Sequence, residues 1–376
     1  IDTGTGNPGA VGIDFNASNL GAVKDVTIRS GDGAGVAGID LSRPLPGPCL
    51  IKNVRIEGFA GGILTKYSSY GVTIENLELV GQSEYGIWNR ANRMAIRGLR
   101  SRNRCMAIRN AGYVCLLDAV LTGGDPDTDA ITANALYARN VRADGYRQMV
   151  TARPDVPMDI DEYASEATTL FDGPPASLRL PVRDTPTFRN NDLSQWANIC
   201  EFGAVANDGK DDSAAIQAAI DSGRQVVYFP AVHEDRAVYH IGQSVVLRGA
   251  ARKLEGLSAS LKPLGLPEDE PLLRTGRTDH GEGVILEALT LSSTLGFEQA
   301  SPEPLTVKHA GIHHNRSRPG AGPLFIEDIA GSHWDFDYPQ QVWARQLNPE
   351  AFDRSKIVNN GADVWVLGLK VEREST

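Results

Sequence analysis

The sequence predicts an all-β protein of two tandem right-handed parallel β-helices, with a short helix capping the start of the second. Three observations carry this. Short, β-branched segments recur roughly every 22 residues over residues 1–165, and at a similar step over 199–376. Between the two series lies a Pro-rich connector, 166–198, without lasting periodicity. At its end a helix–strand stretch, Cys200 to Ile241, reads as the opening of a stack yet stands in mid-chain.

In the first series, CLIKNVRIEG, GVTIENLELVG, MAIRGLRSRN, VCLLDAVLTGG and ALYARNVRADG align at Val54, Leu77, Leu99, Val120 and Val141. The steps are 23, 22, 21 and 21 residues. Secondary strands such as GGILTKY, YGIWNR and CMAIRN lie between them. A leucine-rich repeat has a similar period, but its LxxLxLxxN signature is missing and β-branched residues dominate. Coils of a parallel β-helix match better. Earlier, VGIDFN, VKDVTIRS and VAGIDLS read as two further coils. No capping helix precedes Ile1 and the chain ends on a strand-like run, so both ends are expected to be cut from a longer parent. The connector has prolines at 174, 175, 181 and 186 and is expected to be extended rather than core.

At the opening stretch, Asp211 and Asp212 sit where N-cap and first-turn acids belong. Ala214 to Ile220 favours helix, Gly223 stops it, and Gln225 to Phe229 forms a strand ended by Pro230. The run FGAVANDGKDDSAAIQAAI followed by VVYFP resembles the opening of pectate-lyase-like (pectin-lyase-like) parallel β-helices. The resemblance implies that the helix caps the hydrophobic end of a first coil. The next coils start at Val284, Leu305, Leu324, Val342 and Val364, stepping by 21, 19, 18 and 22 residues. Their handedness follows from the rule for parallel crossovers.

Composition limits the function. The chain is 41% hydrophobic and 22% charged, as in soluble globular proteins, and no apolar run is long enough to cross a bilayer. A net charge of −10 argues against nucleic acid or another anionic polymer as the main partner. Cys49, Cys105, Cys115 and Cys200 show no CxxC spacing; buried free thiols are expected, with a disulfide left open. No signal peptide is present.

Two β-helices joined by a connector resemble glycoside hydrolase family 55, the exo-β-1,3-glucanases, whose site lies in the cleft between paired β-helices. The resemblance rests on WDFDYPQQVWARQLNPE (334 to 350) and VWVLGLKVE (364 to 372). In that family a Gln-x-x-x-Glu-like turn is followed, one coil later, by a strand ending in the general-acid Glu. Here Gln346, Glu350 and Glu372 match. The resemblance implies inverting exo-hydrolysis of β-1,3-glucan, with Glu372 as acid and Glu350 as its electrostatic partner. It also implies a poly- or oligosaccharide partner, no cofactor and a secreted location. The spacing has a reading of its own. The two glutamates are 22 residues apart, one coil, and should stack about 5 Å apart. Like charges that close raise one pKa, as a general acid needs. Glycoside hydrolysis requires such an acid together with a group that activates water. One departure is Arg373, where the family has Gly; it could pair with Glu372, leaving Glu374 as the second candidate.

Trp334, Phe336, Tyr338 and Trp343 suggest either a subsite wall that stacks on sugar rings or simple loop packing. Trp365, inside a strand, reads as core or as part of a stacking ladder. The family's first β-helix supplies polar side chains that hold the water, for which Asn16, Ser18, Asn19, Tyr67 and Ser68 occupy suitable turns. His309, His313 and His314 have spacing that could hold a metal on a helix, but the run is strand-like and no metal is assigned. Gly123 to Ala130 (GGDPDTDA) reads as a solvated turn rather than a calcium loop. DIDEY (159 to 163) is expected at the mobile end of the first stack. IDTGTGNPG lacks the strand–helix context of a phosphate loop. The rival functions are a polysaccharide lyase or other glycan hydrolase on the same fold, and a non-catalytic, tailspike-like β-helix.

Overall fold

The computed structural model describes residues 1–165, 178–232, 236–352 and 354–372. These form parallel stacked β-coils with one short α-helix, Ser213–Ile220, among the described residues. The chain divides into two compact units, Ile1–Arg179 and Leu180–Thr376.

In the first unit, one parallel sheet stacks Ala22–Arg29, Cys49–Glu57, Val72–Val80, Arg93–Arg97 with Arg100–Arg102, Tyr113–Thr122 and Ala135–Ala143. A second sheet stacks shorter strands and aligns Ile13, Ile39, Ile63, Ile87, Ile108 and Ile131 in one column. Each isoleucine from Ile39 onward is fully buried. Identical branched side chains one coil apart stack in the interior, so the repeat encodes its own packing.

A single bend organises every coil of the larger sheet. Asp25, Asn53, Asn76, Gly98, Asp118 and Asn140 stack at one position, all with φ between 53° and 72°. This left-handed conformation is open to Gly, Asn and Asp at low cost. It interrupts the two-residue alternation, so the core-facing set of one strand is Cys49, Ile51, Val54 and Ile56. The bend side chains also bond along the column. Asn53 donates to Asp25 at 2.9 Å, Asn76 to Asn53 at 3.0 Å and Asn140 to Asp118 at 2.9 Å.

Two expectations need correction here. Ala119, not Val120, pairs with Val141; Val120 pairs with Arg100 and Arg142 and is 45% exposed. The DIDEY run is an ordered strand, Asp159–Ala164, which pairs antiparallel with Ala135–Ala143 and finishes that sheet. Its Glu162 accepts from Tyr137 Oη at 2.7 Å, and its alternate acids suit an edge strand.

Of the connector, residues 166–177, with Pro174 and Pro175, lie outside the described residues. Residues 178–192 have no regular structure; Arg179 pairs with Asp161 and Glu162 of the first unit, and from Pro181 on the segment contacts the second unit's strands. The Pro181 carbonyl accepts from Trp343 Nε1 at 2.9 Å, the Arg183 carbonyl accepts from Arg345 at 2.5 Å, and the Arg183 guanidinium lies over Trp343 and Phe325. The first strand, Trp196–Asn198, then pairs with Val226–Tyr228.

The helix Ser213–Ile220 buries Ile216, Ala219 and Ile220 against the first coil. Its Gln217 amide accepts from Val246 N at 2.8 Å and donates to Val246 O at 3.1 Å, standing in for a missing strand at the edge of the four-stranded sheet. Asp212 occupies the N-cap position without capping. Its carboxylate instead accepts from Val205 N and His240 N, while Asp211 accepts from Ser213 N at 2.9 Å. The anchors Val284, Leu305, Leu324, Val342 and Val364 pair in succession as the sequence predicts. A bend column recurs at Ala288, His309, Asp328, Gln346 and Gly368.

Candidate functional site: the charged rows of the second unit

Immediately before four of these five bends the second unit carries a charged residue; the fifth, Gly368, follows Leu367. Glu287, Lys308, Glu327 and Arg345 occupy one register position on successive coils. Signs alternate, so each inner member lies one coil, about 4.8 Å, from opposite charges on both sides. Lys308, Glu327 and Arg345 are 3%, 1% and 0% exposed. Charges this deep persist only when paired. At the bends themselves, His309 Nδ1 lies 2.8 Å from Asp328 Oδ2, and Gln346 Nε2 donates to Asp328 Oδ1 at 3.0 Å. His309 Nε2 is 3.9 Å from a carboxylate oxygen of Glu287 and of Glu327.

Beyond the bends the strands Gln341–Pro349 and Asp363–Leu369 run in parallel, with Leu347 opposite Leu369 and Lys370 N donating to Leu347 O at 3.0 Å. Continuing that register sets Asn348 against Lys370 and Glu350 against Glu372. The two glutamates thus share one position on adjacent coils. The structure adds a cation. Lys370 Nζ lies 2.5 Å from Glu350 Oε1 and 2.9 Å from Glu372 Oε1. Asn348 Nδ2 also donates to Glu350 Oε1 at 3.0 Å, and Glu350 N to Gly331 O at 2.8 Å. The Lys370 side chain is 6% exposed, that of Glu350 15% and that of Glu372 30%. The arrangement is therefore a carboxylate–ammonium–carboxylate bridge instead of the bare pair the spacing suggested. It can fix both carboxylates and present the outer one to solvent.

The remaining candidates scatter. Trp334 is fully buried, packed with Phe297 and Phe336, because HWDF forms a short strand, Trp334–Phe336, rather than a loop. Its ring has no exposed face for a sugar. Trp343 is buried between Phe325, stacked at 5.1 Å, and the connector. Tyr338 is half-buried. Trp365 lies under the Arg345 guanidinium. Asn16, Ser18, Asn19 and Ser68 are exposed in turns of the first unit, and Tyr67 is half-buried. Arg373 and Glu374 lie outside the described residues. His309 joins the carboxylates above and not His313, which is exposed. In the GGDPDTDA turn Asp125 pairs with Arg104, and Asp129 pairs with Arg147. None of the four cysteines is in a disulfide, and of the expected buried thiols only Cys49 is buried, Cys105 and Cys115 being half-buried and Cys200 exposed.

Sequence reasoning missed Lys370, two residues before Glu372, although strand alternation puts the two on one face. It missed the charged row as well, whose signal is the residue preceding each bend from Ala288 to Gln346. No family model matches this chain, and no curated protein sequence matches it.

Proposed function

We propose that this chain is a carbohydrate-active hydrolase on a parallel β-helix, acting by inverting exo-hydrolysis on an extracellular β-1,3-glucan. Glu372 is the general acid and Glu350 its electrostatic partner. The observation that carries this reading is the placement of both carboxylates at one position on adjacent coils, joined by Lys370. Of the two, Glu372 is the more exposed and the one a substrate can reach. A proton taken up by Glu372 leaves Lys370 paired with Glu350, so the group can store one proton and keep an ion pair. Transfer of that proton to the glycosidic oxygen as the glycosidic C–O bond breaks restores the full bridge, while water bonds to the anomeric carbon from the opposite face and releases its proton to solvent.

The same bridge favours a second reading, a glycan-binding β-helix without hydrolysis, because Lys370 engages both carboxylates in ion pairs. Reducing-sugar release from laminarin separates the two. The hydrolase reading expects release by the wild type, the inverted anomer as first product, and a loss of at least ~100-fold in Glu372→Gln. Binding without release would sink it in favour of the second reading.

A further inference from the structure

The turns that follow the second unit's long strands bring together a second group of side chains, on turns next to that of Glu350. His314 follows Leu305–Ile312, and His333 occupies the equivalent turn after Leu324–Gly331, one coil on. Their imidazoles stack with centroids 4.0 Å apart. Asp335 lies two residues beyond His333. Between them Trp334 is directed into the core, so strand alternation turns His333 and Asp335 to the other face together. His314 Nε2 is 3.0 Å from Asp335 Oδ2. One donor atom from each of the three residues lies within 4.8 Å of the others, the only such group of three or more among the described residues.

The backbone under this group is fixed. Asn315 is fully buried, and its side chain accepts from Asp335 N and donates to Asp335 O, both at 3.0 Å. His333 N donates to His313 O at 3.0 Å. The donor residues are therefore held in register by hydrogen bonds that use none of their own side chains. The side chains of His314 and Asp335 are 22% and 27% exposed, which leaves an ion a way in.

We propose that His314, His333 and Asp335 form a binding site for a divalent transition metal of the zinc class. Two imidazoles and one carboxylate suit zinc and its neighbours, whereas calcium and magnesium favour oxygen donors. A tetrahedral zinc with bonds of about 2.0–2.2 Å places its ligands about 3.4 Å apart, so side-chain rotations of about 1 Å close the set. Three protein ligands leave one position for water or another small ligand.

Calorimetric titration of the chelator-treated, dialysed protein with Zn²⁺ tests the proposal, with Co²⁺ absorption as a spectroscopic check on coordination. The expected result is saturable binding of one equivalent, weakened by ~100-fold or more in His314→Ala and in Asp335→Asn. His313→Ala, which alters only the exposed neighbour, should bind as the wild type does. No saturable binding by the wild type overturns the proposal, and so does unchanged affinity in a folded His314→Ala protein. Circular dichroism establishes folding; should His314→Ala fail to fold, Asp335→Asn decides on the same criteria, and should both fail, the wild-type Co²⁺ spectrum does, since a spectrum without nitrogen ligation overturns the site.

Discussion

Lys370 donates to Glu350 across one coil at 2.5 Å, in a position where both side chains are largely withdrawn from water. This contact, more than the glutamate spacing, defines the electrostatics of the candidate site. Removing the ammonium leaves a partly buried carboxylate without its cation, and breaking such a pair costs more than the pair contributes.

Lys370→Met is therefore expected to lower unfolding stability by about 3 kcal/mol at neutral pH in urea denaturation. Glu350→Gln in the same background should recover part of that loss, because the stranded charge is gone. Strictly additive effects in the double-mutant cycle would show that the two groups do not interact.

A second test concerns Glu298, whose carboxylate is 3% exposed and accepts from Arg274 at 2.7 Å, Arg316 at 2.5 Å and Arg318 at 2.8 Å. Burial pushes its pKa up, but hydrogen bonds and charge from Arg316 and Arg274 outweigh this and hold it below the ordinary glutamate value. A carboxyl lowered in the folded state adds stability above its unfolded pKa of about 4.3, and that stability is lost as pH falls through the lower folded value. Glu298→Gln should destabilise the protein by about 2–3 kcal/mol at pH 7, with the gap to wild type narrowing below about pH 4. A gap that stays constant with pH would mean the arginines do not hold the carboxylate.

Much of the coil stacking was legible because interior positions repeat the same residue type at one-coil spacing. The anchors from Val284 to Val364 pair as read. The slip at Val120 arose where two apolar residues, Ala119 and Val120, are adjacent and only register decides which faces in. Trp334 was misread as a loop residue because its strand spans three residues, too few for a periodic pattern. Glu350 and Glu372 were visible because their spacing equals one coil. Lys370 was not, since a cation between two acids leaves no spacing signature. The approach of His314 to His333 and Asp335 depends on which turns stack, and that is known only once the register of every coil is fixed.

The bend column gives a third test, on Asn76. Its φ is 56°, and its side-chain amide donates to Asn53 at 3.0 Å. Left-handed backbone is cheap for Asn and Gly but strained for a β-branched residue, whose second branch crowds the adjoining carbonyl. Asn76→Val should lose the column hydrogen bond and add backbone strain, for a combined cost of about 2–3 kcal/mol. Asn76→Gly loses the same bond but keeps the permitted conformation, so its cost should stay near 1 kcal/mol. Chemical denaturation of both variants separates the contributions. Equal losses would mean that the hydrogen bond, and not the bend, is what the position requires. A much larger loss in the valine variant would place the requirement in the backbone, consistent with Gly98 sharing this column with five Asn and Asp residues.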